Sequence, residues 1–287
     1  MFGLFDSIAD WFKSLLIDGI MHNFTGMFNE VNEKVGEIAH NVGQTPAGWN
    51  SGVFNLIRTL SNTLIIPIAG MLLTFILTYE LIHMIIERNN MNDFESFVVY
   101  KWIFKTFVAV YIITHTFDIV MAVFELAQSV VNGSAGIISG SLDINLALAN
   151  LEDLLDDMGF GELLGLWLQS SILSLAMSIM SVCIFIIIYG RMLEIYLTVS
   201  IAPIPFSTMV NREWGSIGNN YLKALFALAF QGFLIMVCVA IYAVLLQQIT
   251  TSSNIHSAIW TCAGYTVLLC FTLFKTGSMS KAVFNAH

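Results

Sequence analysis

From Trp167 to Tyr189 the chain carries no charged residue. An uncharged apolar stretch of about 20 residues is long enough to cross the hydrocarbon core of a bilayer as a helix. In lipid every backbone N–H and C=O needs an internal partner, so crossing segments are helices or walls of closed barrels. Comparable apolar runs occupy residues 60–86, 102–124, 221–246 and 258–274. The pattern predicts an all-α, polytopic transmembrane helix bundle. Composition agrees: 57% of the 287 residues are hydrophobic and only 11% charged, where soluble domains carry about a quarter charged residues.

The same composition excludes several classes of function. The net charge of −9 argues against a general electrostatic grip on nucleic acid, which needs clustered Lys and Arg. Cys183, Cys238, Cys262 and Cys270 all fall inside apolar runs without metal-ligand spacing, and read as small buried hydrophobes. No phosphate-binding Gly-rich loop, zinc-protease motif or nucleophile–base signature is present. The reading is a non-enzyme with no catalytic, cofactor-binding or metal site. The first residues lack the basic region of a cleaved signal peptide.

Helical spacing of Phe5, Ile8, Ala9, Phe12, Leu15, Leu16 and Ile20 predicts an amphipathic helix over 1–20, with Trp11 at its border and an acidic opposite face. Lying on the bilayer is the favoured placement; packing on the bundle is the alternative. A second stripe follows, broken by Gly43, Pro46 and Gly48. The predicted organisation is an extracytoplasmic extension (1–58), a first transmembrane hairpin (59–124), an external acidic loop (125–166), a core bundle (167–275) and a cytoplasmic tail (276–287). Within the loop, Gly133, Gly136 and Gly140 read as loop glycines, and 143–158 as an acidic amphipathic helix. Ser170, Ser174 and Ser178 give the third span a small face for close helix approach.

The core bundle has an awkward centre. Pro203 and Pro205 each lack an N–H, and a broken segment at membrane depth is tolerated only inside protein or along a cavity. Arg191, Arg212 and Lys223 flank this segment on both sides. Basic residues favour the cytoplasmic side. A re-entrant segment over 192–210 keeps all three inside. That gives five full spans, an external N-terminus and a cytoplasmic C-terminus; six spans is the alternative.

Charges inside spans are costly, about 2.5–3.5 kcal/mol at a helix centre on insertion scales. Three pairs sit three residues apart and share a helix face: Glu80/His83, His115/Asp118 and Arg191/Glu194. For His115/Asp118, within the second span, a proton relay or a polar pathway lining is the functional reading and a local structural pair the favoured one; Glu80/His83 and Arg191/Glu194, at cytoplasmic span ends, read as structural pairs. Gln231 in mid-span is a candidate for a bond between helices.

The segment Ser200-Ile-Ala-Pro-Ile-Pro-Phe-Ser-Thr-Met-Val-Asn-Arg-Glu-Trp214, followed by Tyr221-Leu-Lys-Ala-Leu-Phe and a long apolar run, resembles the TrbL-type polytopic inner-membrane subunits of type IV secretion systems. The similarity is clearest over 185–245, and Pro205 stands where the family more often has a bulky residue. The resemblance implies a channel or scaffold subunit that serves conjugative transfer of DNA–protein complexes across the cytoplasmic membrane. It implies as partners other membrane subunits of the machine and separate ATPases, with no direct nucleic-acid contact expected. Ala202, Pro203, Pro205, Phe206, Arg212 and Trp214 carry the motif and are the assembly candidates. A self-contained secondary transporter with a broken-helix site at 200–207 is the alternative, but its expected inverted repeat is not evident. Replacing Pro203 and Pro205 with Ala is expected to straighten 192–210 and impair assembly. Unchanged transfer frequency and unchanged cysteine accessibility at 200–207 would refute this.

Overall fold

The computed structural model describes residues 2–87, 96–138, 154–249 and 255–286. Regular structure among them is helical throughout: α1 (Phe2–Val42), α2 (Pro46–Trp49), α3 (Ser51–Leu60), a π-helical turn (Ser61–Ile65), α4 (Ile66–Glu87), α5 (Ser96–Thr114), α6 (Thr116–Ile138), α7 (Phe160–Ser200), α8 (Pro203–Thr208), α9 (Gly215–Ile249) and α10 (Ile255–Val283). The all-α expectation holds.

By length and composition, three helical stretches can cross a membrane: Ser51–Ile86, Phe160–Ser200 and Gly215–Leu245. The expected second span is not one straight helix. Val99–Thr114 and Thr116–Gly133 meet at 66°, and only as a bent pair do they make a fourth. The expected five full spans are therefore met at three, or four with the bent pair. The predicted last span, 258–274, is helical within α10 but adds no further candidate among the described residues.

The breaks have local causes. Around His115, Thr114 Oγ1 bonds Val110 O at 2.9 Å, Thr116 Oγ1 bonds Ile112 O at 2.8 Å, and His115 Nδ1 contacts Tyr111 O at 3.0 Å. Three successive side chains compete for the carbonyl ladder of one turn, a known origin of helix bending. The π turn lies just ahead of Pro67. A proline cannot donate to the carbonyl four residues back and its ring crowds it, so the wider turn relieves the clash.

Other boundaries differ from the sequence reading. α1 is one helix to Val42, because neither Gly nor Pro stops it near residue 20 strongly enough to end the ladder. Its apolar residues divide: Leu16, Ile17, Ile20, Phe24 and Met27 are buried, whereas Trp11, Phe12 and Leu15 are exposed. Gly133 and Gly136 lie inside α6 rather than in a loop. One glycine costs only about 1 kcal/mol in a helix interior, and the flanking apolar residues continue the pattern. Gly140 and most of the predicted acidic helix, including Ile144, Leu148 and Leu151, fall outside the described residues. Residues 192–200 continue α7, so the broken segment is confined to 201–214.

The chain forms two compact units. The first comprises Met1–Val42, Gly133–Ile188 and Ile235–Lys275; the second comprises Gly43–Asn132, Tyr189–Leu234 and Thr276–His287. In the first unit α1 lies along the serine face of α7. Asn23 Nδ2 donates to Ser170 Oγ at 3.0 Å and to Ser171 Oγ at 3.1 Å. Lys13 Nζ reaches Asp156 O at 2.6 Å, and Tyr242 and Thr266 join their hydroxyls at 2.7 Å. Gly19 faces the Trp167 indole so closely that an added Cβ would stand 2.6 Å from its Nε1.

In the second unit two clusters form the interior. Phe117, Val120, Met121 and Phe124 of α6 meet Met192, Ile195 and Val199 of α7, Ala202, Phe206 of α8, and Leu225, Leu228 and Ala229 of α9. A smaller cluster joins Ala69, Leu73 and Leu77 of α4 to Ala109 and Ile113 of α5, with Ile204 and Val210 packed against it.

Gly19→Leu is expected to displace the Trp167 ring and lower the thermal unfolding midpoint in detergent by several degrees, since overpacking costs about 1–3 kcal/mol. An unchanged midpoint would show that α1 is not seated on α7.

Candidate functional site

The motif residues lie at the junction of α7, α8 and α9, and the sequence builds this junction from the backbone outward. α7 ends at Ser200, and the turn through Ile201 and Ala202 is closed by Ala202 N donating to Val199 O at 3.2 Å. Pro203 then opens α8. The first N–H groups of any helix lack intrahelical acceptors, so prolines in the first turn forfeit little. The two prolines therefore start a short helix as well as ending a long one.

The far end of α8 is stitched to α9 by side chains. Thr208 Oγ1 donates to Pro205 O at 2.8 Å and accepts from Gly218 N at 3.1 Å. It thereby satisfies one of the orphan donors in the first turn of α9. Asn211, buried, accepts from Glu213 N at 2.7 Å and from Trp214 N at 3.4 Å. Gly218 has no room for a side chain: an added Cβ would lie 2.5 Å from Pro205 O and 2.1 Å from Met209 Cγ. Tyr221 ties the start of α9 back to α7, donating to Thr198 O at 2.8 Å and meeting Phe206 edge-on at 5.8 Å.

Ala202, Pro203, Pro205 and Phe206 are buried in this unit. α8 packs on α4, on the π turn and on α5. Trp214 stacks on Phe75 at 5.8 Å and on Tyr79 at 6.2 Å, so the motif's indole clasps α4. Arg212 is exposed beside it.

Each of the three acids in the predicted local pairs has an ion-pair partner on another segment, and Glu194 also acts electrostatically on Arg191 one turn away. Glu80 pairs with Lys105 of α5, while His83 meets the Tyr79 ring at 5.1 Å. Asp118 pairs with Arg58 at 3.4 Å, and the Arg58 guanidinium sits 5.7 Å over the Phe117 ring. His115 stacks on Tyr111 with ring centroids 4.3 Å apart. Glu194 reaches Lys281 of α10 at 3.3 Å. The reason is geometric: each bundle neighbour presents an opposite charge at the same level, and long Lys and Arg side chains reach it more readily than a residue three positions along.

Arg191 is 7% exposed and lies against Gly232 of α9, where an added Cβ would stand 2.7 Å from Nη2. Its Nε is buried with no hydrogen-bond partner. Gln231 Nε2 donates to Thr276 Oγ1 at 3.4 Å, so the expected bond between helices is present, and Ser280 Oγ donates to Ala227 O.

Between Arg58 and Glu80 the rod α3–α4 has no charge. The 22 helical steps from Arg58 to Glu80 rise about 33 Å, close to the ~30 Å hydrocarbon core. The ion pairs at Arg58 and Glu80 thus bracket a bilayer-length apolar stretch.

A model of the family described as TrbL/VirB6 plasmid conjugal transfer like protein matches residues 31–203. The chain belongs to this family. That span covers more than half of the chain. It ends at the motif's first proline, so most of 185–245, over which the resemblance is clearest, lies beyond it. Comparisons with curated proteins and with solved structures gave no match. Membership makes the chain a component of conjugal transfer machinery of the type IV secretion kind, with several apolar helices of membrane-crossing length.

Sequence reasoning missed several residues that hold the site. Tyr196 donates to Pro46 O at 2.6 Å, and Trp49 meets Tyr189 edge-on at 5.2 Å, anchoring the 43–50 connection to α7. Thr45 and Asn50 cap α2 and α3. The caps are readable from Thr-Pro and Asn-Ser at those positions; no local spacing marks Tyr196.

Gly218→Ala is expected to cost about 1–3 kcal/mol, read as a lower unfolding midpoint, because Pro205 O cannot move away. Gly190→Ala, with nothing within 4 Å of its Cβ position, is the control and should be neutral or slightly stabilising. Equal midpoints for both would disprove the close α8–α9 approach.

Proposed function

We propose that this chain is a scaffold subunit of a conjugative type IV secretion machine, its bundle holding or bordering the conduit for DNA–protein complexes while separate ATPases supply energy. The observation that carries this reading is the pairing of charges between segments at the ends of the apolar stretches. Glu80, Asp118 and Glu194 each engage a cation from another segment of the same unit. Charges spent on holding helices together suit a rigid frame better than a substrate pathway, where polar groups must exchange partners.

The motif supports the same reading. Ala202, Pro203, Pro205 and Phe206 face inward, so their part in assembly is to shape this subunit; exposed Arg212 is the motif residue left to meet a neighbour. We place the N-terminus outside and the C-terminus in the cytoplasm on the distribution of Lys and Arg, with the 201–214 segment not crossing.

Charge exchange separates a scaffold from a transporter. Glu80→Lys and Lys105→Glu singly should reduce transfer frequency by tenfold or more, and the double exchange should restore most of it. Affinity purification in mild detergent should recover assembly ATPases with the wild-type chain. A double exchange as inactive as the single variants, with recovery of a lone substrate-binding monomer, would reject the scaffold.

A further inference from the structure

In the first unit α1 runs alongside α7 in the same direction. Gly19 faces Trp167, Asn23 bonds Ser170 and Ser171, and Lys34 and Ile38 share a small cavity with Ser181 and Ile184. The depth of α1 follows from its neighbour. From Leu163 to Gly190 α7 is uncharged, and the hydrocarbon core takes about 20 residues of helix. Every window of about that length within the stretch includes residues 171–182. The part of α1 beside them runs from Asn23 to Lys34. It therefore lies at hydrocarbon depth wherever the bilayer sits on the uncharged stretch.

The side that α1 turns away from α7 is polar at that depth. Asp18, His22, Gly26, Asn29, Glu33 and Gly36 are all exposed. Successive members stand three or four positions apart, so they form one line along the helix, about 27 Å from first to last. Neither Asp18 nor Glu33 has an ion-pair partner among the described residues.

The free side of α7 is the reverse. Leu168, Ile172, Leu175, Ile179, Val182 and Ile186 are exposed by 51–66% and follow the same spacing. Counted at about 3.6 residues per turn, they lie roughly opposite Ser170 and Ser181, which meet α1. The helix pair thus shows an apolar stripe on one side and a polar stripe on the other, over one bilayer depth.

Charge decides what meets the polar stripe. Carboxylates at membrane depth face a bundle interior or a water-filled cavity, because hydrocarbon cannot solvate them. A second copy of the chain is disfavoured as well. Copies in one membrane share an orientation, so a symmetric contact between α1 helices sets Asp18 against Asp18 and Glu33 against Glu33. Water solvates both carboxylates and needs no complementary charge.

We propose that the face of α1 from Asp18 to Gly36 lines a water-filled pathway at bilayer depth, with α7 standing between that water and the lipid. The inference goes beyond the scaffold reading, which rests on ion pairs of the second unit, and holds independently of it.

The test is cysteine labelling of the full chain in its native membranes with a cationic, membrane-impermeant methanethiosulfonate. The wild-type chain, with its four free cysteines, sets the background. Asn29→Cys should react at least tenfold faster than Ile179→Cys, and the two should react alike once the membranes are dissolved in SDS. Glu33→Cys takes the place of Asn29→Cys if the latter fails to accumulate. Labelling at 29 as slow as at 179 would overturn the proposal and assign the stripe to a covering partner chain or to lipid. Fast labelling at 179 would overturn it too, because α7 would then face water and not lipid.

Discussion

The whole structure depends on keeping backbone hydrogen bonds whole in an apolar surrounding. An unpaired N–H or C=O costs several kcal/mol there, so each interruption of a helix must be repaired on the spot. The repairs are made by a few residue types. Thr45 and Asn50 cap the short helices after α1. Thr208 answers a free amide in the first turn of α9, and Asn211 those of Glu213 and Trp214 just before it. Pro203 and Pro205 stand where no amide is needed. The polar residues at these breaks are therefore as structural as the leucines around them.

Charge follows the same logic one level up. Glu80, Asp118 and Glu194 each find a cation on a different segment of their unit. Ion pairs of this kind hold register between helices where apolar packing alone discriminates poorly, because lipid tails are as apolar as the side chains. Arg191 is the exception, buried against a glycine with its Nε unanswered.

Family membership and geometry meet at α8. The short proline-led helix is held on one side by the cluster around Phe206 and on the other by Ile204 against α4 and α5. Trp214 closes the arrangement by stacking on Phe75 and Tyr79. A sequence signature of this kind persists in a fold because it forms the joint between long helices.

Residue chemistry alone determined the helical class, the membrane setting, the family resemblance and the existence of a break near Pro203, because apolar length and missing amides act locally. Gln231 was legible for the same reason: a lone amide in an apolar run must find a partner. Other features were decided only by tertiary structure. Whether Glu80 meets His83 or Lys105 depends on which helix lies alongside, and no spacing encodes that. The 66° bend at His115 arises from three successive side chains bonding back onto their own helix, which a hydropathy profile averages away. That Gly218 admits no methyl group and that Tyr196 bonds a carbonyl 150 positions earlier are facts of close approach between distant segments, and only the folded chain brings those segments together.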